Sequence, residues 1–210
     1  MDSPHITSQL FGQRTDIIER YAAHLGNAVI WGYLGPQEYE RVWDRHIYNS
    51  VSFASLIPHG ASVADVGSGA GLPGLPLAIM RPDLSVVLIE SMSRRVRFLE
   101  DVVSDLGLKD QVSIIRARAA EVSDTFDVVT CRAVAALHKL VRWTHHMFPG
   151  DGQLLALKGA QAEAEIADSA AILKRYRLEA EVLTVTAHPE TESTTVVRVR
   201  RGGSTGSEHR

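Results

Sequence analysis

The chain has 210 residues, 45% of them hydrophobic and 22% charged, with a formal net charge of −3 at pH 7. That is about one domain of ordinary globular composition, and it excludes a disordered chain, a collagen-like chain and a coiled-coil rod. No apolar run is long enough to span a membrane, Leu10–Gly12 is too short for a secretion signal, and the single cysteine, Cys131, cannot form an internal disulfide, so a cytoplasmic setting is expected.

Residues 14–57 read as helical. Ile17, Ile18, Tyr21, Leu25, Val29 and Trp31 recur near a 3.6-residue period, punctuated by Gly26, Gly32, Gly35 and Pro36. A second helix is expected from Pro36 to Leu56, with Tyr39, Val42, Trp43, His46, Ile47 and Ser50 on neighbouring turns, ended by Pro58–Gly60. From residue 61 the pattern changes. Strands are expected at Ser62–Val66, Ser85–Ile89, Gln111–Ile115, Phe126–Cys131 and Gln153–Leu157. Helices are expected at Gly71–Met80, Ser93–Leu106, Ala135–Met147 and Gln161–Arg175. Leu178–Thr186 and Thr194–Arg200 alternate as strands, and their short connection makes them an antiparallel pair. The fold class is therefore α/β: a mostly parallel, doubly wound sheet with a C-terminal antiparallel hairpin and an N-terminal helical extension. The division is 1–60 for the extension, 61–200 for the α/β domain, and 201–210 for a Gly/Ser-rich tail expected to be disordered.

Charge is uneven along the chain. Residues 91–158 carry ten Lys/Arg against eight Asp/Glu, whereas residues 1–66 carry four against seven. The basic stretch is mostly Arg, whose planar fork suits phosphate, although a solvated helix face accounts for such runs as well. A net-acidic protein does not hold nucleic acid by bulk charge alone.

The run from Val63 to Pro76, Val-Ala-Asp-Val-Gly-Ser-Gly-Ala-Gly-Leu-Pro-Gly-Leu-Pro, joins the first strand of the sheet to its helix. Gly67, Gly69 and Gly71 let the backbone turn sharply and approach a ligand. Glu90 ends the next strand, where a carboxylate receives a ribose diol in dinucleotide-like sites. Gly69-Ala-Gly71-Leu-Pro-Gly74 formally matches a dinucleotide fingerprint, so NAD has to be weighed. The match starts late, however, and Asp65 at the strand end repels a pyrophosphate and attracts the cationic ammonium and sulfonium of S-adenosylmethionine. Asp65 as a plain strand-end turn residue is the alternative.

These motifs, with Arg94-Arg-Val-Arg-Phe-Leu, Cys131-Arg-Ala-Val-Ala, Ala156-Leu-Lys-Gly and the upstream Arg45-His-Ile-Tyr-Asn-Ser, make the chain resemble ribosomal small-subunit methyltransferase G, also called the glucose-inhibited division protein B family. The resemblance runs from about residue 14 to 200. It implies a Rossmann-like class I methyltransferase fold and transfer of a methyl group from S-adenosylmethionine, with S-adenosylhomocysteine as product, to N7 of one guanine in 16S ribosomal RNA. It further implies a small-subunit partner and a monomeric enzyme. Donor contacts carry over to Gly67 and Leu72, to the Ala119–Ala120 pair and to Arg132, with Ser68, Gly69 and Gly71 in the same loop, Asp65 beside it, and Glu90 on the ribose. The chain departs from the family at Asn49, where an acid is usual, at Ala120, where Glu is frequent and Glu121 stands next in line, and at Cys131, where Ser is common. Arg94-Arg95 replaces a lysine pattern.

Guanine N7 has a free lone pair, so its methylation needs no general base, and alignment of donor and acceptor is the main requirement. Arg132 is the expected catalytic group, bridging donor and RNA; a salt bridge to Asp127 or Glu121 is its bland alternative. The expected RNA surface comprises Arg94, Arg95, Arg97, Lys139 and Lys158, with Arg116, Arg118 and Arg142 beside them. No metal is expected: His138, His145 and His146 share a helix, but no carboxylate or thiol completes a ligand set. His46 and Ser50 share a helix face, as a core or capping hydrogen bond or as an RNA or donor contact. Trp43 and Trp143 read as core residues, with base stacking as the alternative. Cys131 has no paired histidine to make it a nucleophile. Other functions left open are a same-fold methyltransferase acting on another RNA or a small molecule, a non-catalytic RNA-binding assembly factor, and an NAD-dependent oxidoreductase.

Overall fold

The structure, a computed structural model, describes residues 4–30 and 41–202. It begins with α1 (Pro4–Phe11), which lies ahead of the expected helical region, and α2 (Thr15–Ile30), separated by a tight helical turn at Gly12–Arg14. Ile6 and Phe11 of α1 and Ile18, Tyr21 and Leu25 of α2 are buried, so the stripe read in the sequence packs through Leu25. Trp31, Gly32, Gly35, Pro36 and Tyr39 lie outside the described residues. The remainder of the expected second helix is not one α-helix. It is a π-helix at Val42–Tyr48, a short α3 (Asn49–Val51) and a tight turn at Ala54–Leu56.

The rest alternates as expected: β1 (Ser62–Val66), α4 (Gly74–Met80), β2 (Ser85–Ile89), α5 (Ser93–Asp105), β3 (Val112–Ile115), a helical turn at Ala119–Glu121, β4 (Val128–Arg132), α6 (Leu137–Thr144) and β5 (Gln153–Lys158). The predicted helix Gln161–Arg175 is two helices, α7 (Ala162–Asp168) and α8 (Ala170–Tyr176). Buried Ser169 separates them, its hydroxyl donating to the Glu165 carbonyl at 2.6 Å, which is the side-chain competition that bends helices. β6 (Leu178–Val185) and β7 (Thr194–Arg201) form the expected hairpin. Arg201, assigned to the tail from sequence, closes β7; residues 203–210 lie outside the described residues.

Among the described residues seven strands form one sheet in the order β3-β2-β1-β4-β5-β7-β6. All neighbours are parallel except β7, which runs antiparallel to both β5 and β6. The chain reverses its direction of travel between β1 and β4, which opens a crevice at the carboxyl ends of those strands.

Side-chain alternation divides the core in two. Val63 of β1, Val128 of β4 and Leu155 of β5 pack with α1, α2, the π-helix, α4 and α5. Ala64, Val129, Cys131 and Ala156 pack with α6, α8 and the Ala119–Glu121 turn. The N-terminal helices therefore share their core with the first face of the sheet. By the same parity Asp65 and Arg132 point to the N-terminal-helix face, and Lys158 points to the α6–α8 face.

Candidate active site

The glycine-rich loop leaves β1 and crosses the carboxyl edge of the sheet. Gly67 and Ser68 donate their backbone N–H groups to the Ile89 carbonyl at 2.8 and 3.2 Å, pinning the loop to the end of β2. Gly67 has φ +71°, and a Cβ there would stand 2.8 Å from Val134 Cγ2, so any side chain would both strain the turn and fill the space in front of it. At Gly74 the first turn of α4 lies against β1 and β2. A Cβ there would meet Leu88 Cδ2 at 2.5 Å and Asp65 Oδ2 at 2.7 Å. Tyr21 of α2 braces the loop from below, its hydroxyl donating to the Ala70 carbonyl at 2.9 Å. Burial pushes the Tyr21 hydroxyl well above the usual phenol range, so it stays a donor. Sequence reading placed Tyr21 among the apolar positions of its helix; the signal for more was a polar atom on an otherwise apolar buried face.

Two cavities meet at this loop. The first, about 490 Å³, lies between Val66, Ile89, the Ala117–Glu121 segment, Val134 and Trp143, and its lining is mainly apolar. The second, about 390 Å³, lies between Ser68, Gly69, Leu72, Met92, Arg95, Arg132 and Ala133. Gly67, Glu90, Ser91 and Val134 line both. Glu90, only 4% exposed, is the acid at the junction. Its Oε2 accepts from Gly69 N–H at 3.1 Å, its Oε1 accepts from Met92 N–H at 2.9 Å, and Arg95 stands 3.7 Å away. Ala119 and Ala120 both line the first cavity, Ala119 buried and Ala120 exposed. Glu121, next in line, also lines the first cavity. Its carboxylate turns back to accept from the Arg118 N–H at 3.1 Å.

Several expected residues stand elsewhere. Asp65 is fully buried under the loop and does not line either cavity; its Oδ2 accepts from Gly74 N–H at 3.0 Å, and its Oδ1 has no hydrogen-bond partner among the described residues. A direct contact between Asp65 and the donor is thus replaced by a role in anchoring α4 to β1. Burial raises its carboxyl to about 7, against the opposing pull of the Gly74 N–H. Lys158, assigned to the RNA surface, is turned inward. Its ammonium donates to the Ala135 carbonyl and to Glu165 Oε2, both at 2.7 Å, and its side chain is 9% exposed. Arg95 leans on Glu90 at the cavity wall, while Arg94, Arg97 and Lys139 are exposed in the opening turns of α5 and α6. Those helices start at the carboxyl ends of β2 and β4, so the three cations share the rim of the crevice.

Arg132, the last residue of β4, lines the second cavity. Its guanidinium donates to the Arg45 carbonyl at 3.1 Å and meets His46 Nδ1 at 2.7 Å, in place of the salt bridge to Asp127 or Glu121 considered from sequence. His46 is buried, and its bond goes to Arg132 on the neighbouring strand; Ser50, on the same helix face, is also buried, with no hydrogen-bond partner for its hydroxyl among the described residues. Trp43 packs against the first core, tilted over Tyr48, and half-buried Trp143 lines the first cavity. His145 stacks on Tyr176 and His146 contacts the Val122 carbonyl. Burial pushes the Cys131 thiol up to about 12, which leaves it protonated and unsuited to attack.

A family model described as rRNA small subunit methyltransferase G matches residues 15–194. The chain is 47% identical over 199 residues to the Ribosomal RNA small subunit methyltransferase G of Renibacterium salmoninarum, covering 93% of each chain. It is 45% identical over 206 residues to the protein of the same name from Mycolicibacterium smegmatis, covering 95% of this chain and 87% of that one. Among solved structures, a precorrin-6y C5,15-methyltransferase from Geobacter metallireducens superimposes with a TM-score of 0.53 over 73% of this chain and 86% of that one, at 13% identity, a likeness of fold. With a match over nearly its whole length, the chain belongs to the rRNA small subunit methyltransferase G family.

Proposed function

We propose that this protein, a monomer in the cytoplasm, methylates N7 of one guanine in the 16S ribosomal RNA of the small subunit, with S-adenosylmethionine as donor. The observation that carries the reading is the pair of joined cavities with Glu90 at their junction. The apolar slot suits a purine ring, and the buried carboxylate suits the hydroxyls of its ribose. Gly67 leaves the space that a Cβ would close. The donor brings a methyl group on a cationic sulfur, already activated for transfer.

The protein's part is then to bind and align. Glu90 is held by two backbone N–H groups and by Arg95, so its oxygens are oriented before a ligand arrives. The Ala119–Glu121 turn closes one end of the slot, and Trp143 lies along it. Arg132 stands at the second cavity, where its N–H groups can hold the acceptor base through its O6 acceptor and leave the N7 lone pair free to attack. N7 carries no proton to remove, so alignment can account for about 7–11 kcal/mol of the barrier in favourable cases. Exposed Arg94, Arg97 and Lys139 supply phosphate contacts around the rim, and selectivity comes from the shape of a folded RNA segment.

The test is incubation with labelled donor and small subunits lacking the modification, followed by mapping of the labelled base. Label on N7 of a single guanine is expected. Label on another atom or in another RNA, or donor binding without transfer, would refute the reading. Arg132→Ala is expected to lower transfer at least a hundredfold, a larger loss than that in its affinity for S-adenosylhomocysteine.

A further inference from the structure

Arg132 reaches the second cavity from the end of a strand, and the long side chain of an arginine has many rotamers to choose from. Something has to select one. Its position in β4 turns it towards the N-terminal-helix face, where the π-helix Val42–Tyr48 packs. The chain leaves β4 through Ala133, a non-glycine residue at φ +52°, so the strand ends immediately beyond the arginine. On the helix side, two consecutive residues meet the guanidinium: the Arg45 carbonyl at Nη1 and His46 Nδ1 at Nη2. A guanidinium has only donors, so His46 Nδ1 must be the acceptor, and the imidazole must carry its proton on Nε2. His46 is 4% exposed, which leaves the ring little freedom to turn away. Stretches of π-helix are uncommon and occur often at functional sites, where they re-aim a side chain.

We propose that His46, with the Arg45 carbonyl beside it, is the positioning element that aims the Arg132 guanidinium into the acceptor cavity. This rests on the reading of Arg132 given above. The N-terminal helical segment thereby completes the site formed by the sheet. The contact spans 86 residues of sequence.

The experiment compares His46→Leu, His46→Asn and Arg132→Ala, alone and with His46→Leu added to Arg132→Ala. Asparagine can place an oxygen near the position of Nδ1, and leucine cannot. Each variant is checked by thermal melting, by calorimetry with S-adenosylhomocysteine, and by transfer to unmodified small subunits. His46→Leu is expected to lower kcat tenfold or more, with KM for subunits and the affinity for S-adenosylhomocysteine within threefold. His46→Asn is expected to recover most of kcat. Added to Arg132→Ala, His46→Leu should cost little more, because its target is gone. Nitrogen-15 NMR of the wild type should show His46 protonated on Nε2, with the Nδ1 resonance moving in Arg132→Ala. The proposal is overturned if His46→Leu transfers normally, if His46→Asn fails to rescue while melting like the wild type, or if the two losses add in full. If Arg132→Ala itself transfers normally, the reading of Arg132 fails first, an outcome distinct from normal transfer by His46→Leu beside an inactive Arg132→Ala.

Discussion

Asp65 shows how a single carboxylate can be recognised in sequence and still be misplaced. The D-x-G-x-G spacing singled it out as a charge for a cationic ligand, yet strand parity sends it under the loop to bond Gly74 N–H. Its raised carboxyl has a consequence for stability. An Asp whose folded value lies near 7, against 3.8 unfolded, binds more protons folded than unfolded between those values. Its contribution is therefore fully present below about pH 4 and is lost as pH rises through about 7. Asp65→Asn keeps an acceptor for Gly74 and cannot ionise. In urea titrations the variant is expected to gain stability relative to wild type as pH rises from 4 to 7, with no further change above. A difference that stays flat across that range would show that Asp65 does not titrate there. Gly67, Glu90 and the Ala119–Ala120 pair were legible because motif and strand order bring them to one edge. Tyr21 was not, because a phenol on a helical stripe looks like any other buried aromatic. His46 was visible as a spacing, but its partner lies on β4, and no local pattern links them.

At the scale of elements, strands were read to within two residues because their apolar runs are bounded by turns. Helix interiors were read less well. The π-helix leaves no mark in a 3.6-residue pattern, and the break at Ser169 depends on a hydroxyl bonding its own backbone. Lys158 is the clearest element-scale lesson. Ending β5 at the ligand edge made it look like an RNA contact. Instead it ties the segment after β4 to α7, through Ala135 and Glu165, and Glu165 in turn accepts from the Leu137 N–H at the start of α6. Lys158→Met keeps the stem and removes the charge. It is expected to destabilise the fold by about 1–3 kcal/mol, the usual cost of losing charged hydrogen bonds at a partly buried site. Chemical denaturation measures this, and a change below about 0.5 kcal/mol would mean the tie contributes nothing.

For the whole molecule, the class of fold followed from alternation of strands and helices, and the N-terminal helices pack onto the sheet that follows them. α1, α2 and the π-helix are built into the core on one face of the sheet. Charge tells a similar story. The chain is net negative, so binding to RNA should depend on salt less steeply than for a protein that coats phosphate. Neutralising Arg94, Arg97 and Lys139 together is expected to flatten the plot of log affinity against log salt by up to about two to three units, roughly 0.7–0.9 for each phosphate contact removed. An unchanged slope would place the RNA on another surface.

Tyr21 links a helix near the amino terminus to the carbonyl of Ala70, in the same loop whose Gly69 N–H is held by Glu90. Occupancy of the cavities beside Glu90 should thus be felt along α2. Deuterium uptake by the amides of residues 18–25 is expected to slow when S-adenosylhomocysteine is added, and Tyr21→Phe should abolish that protection before it abolishes binding.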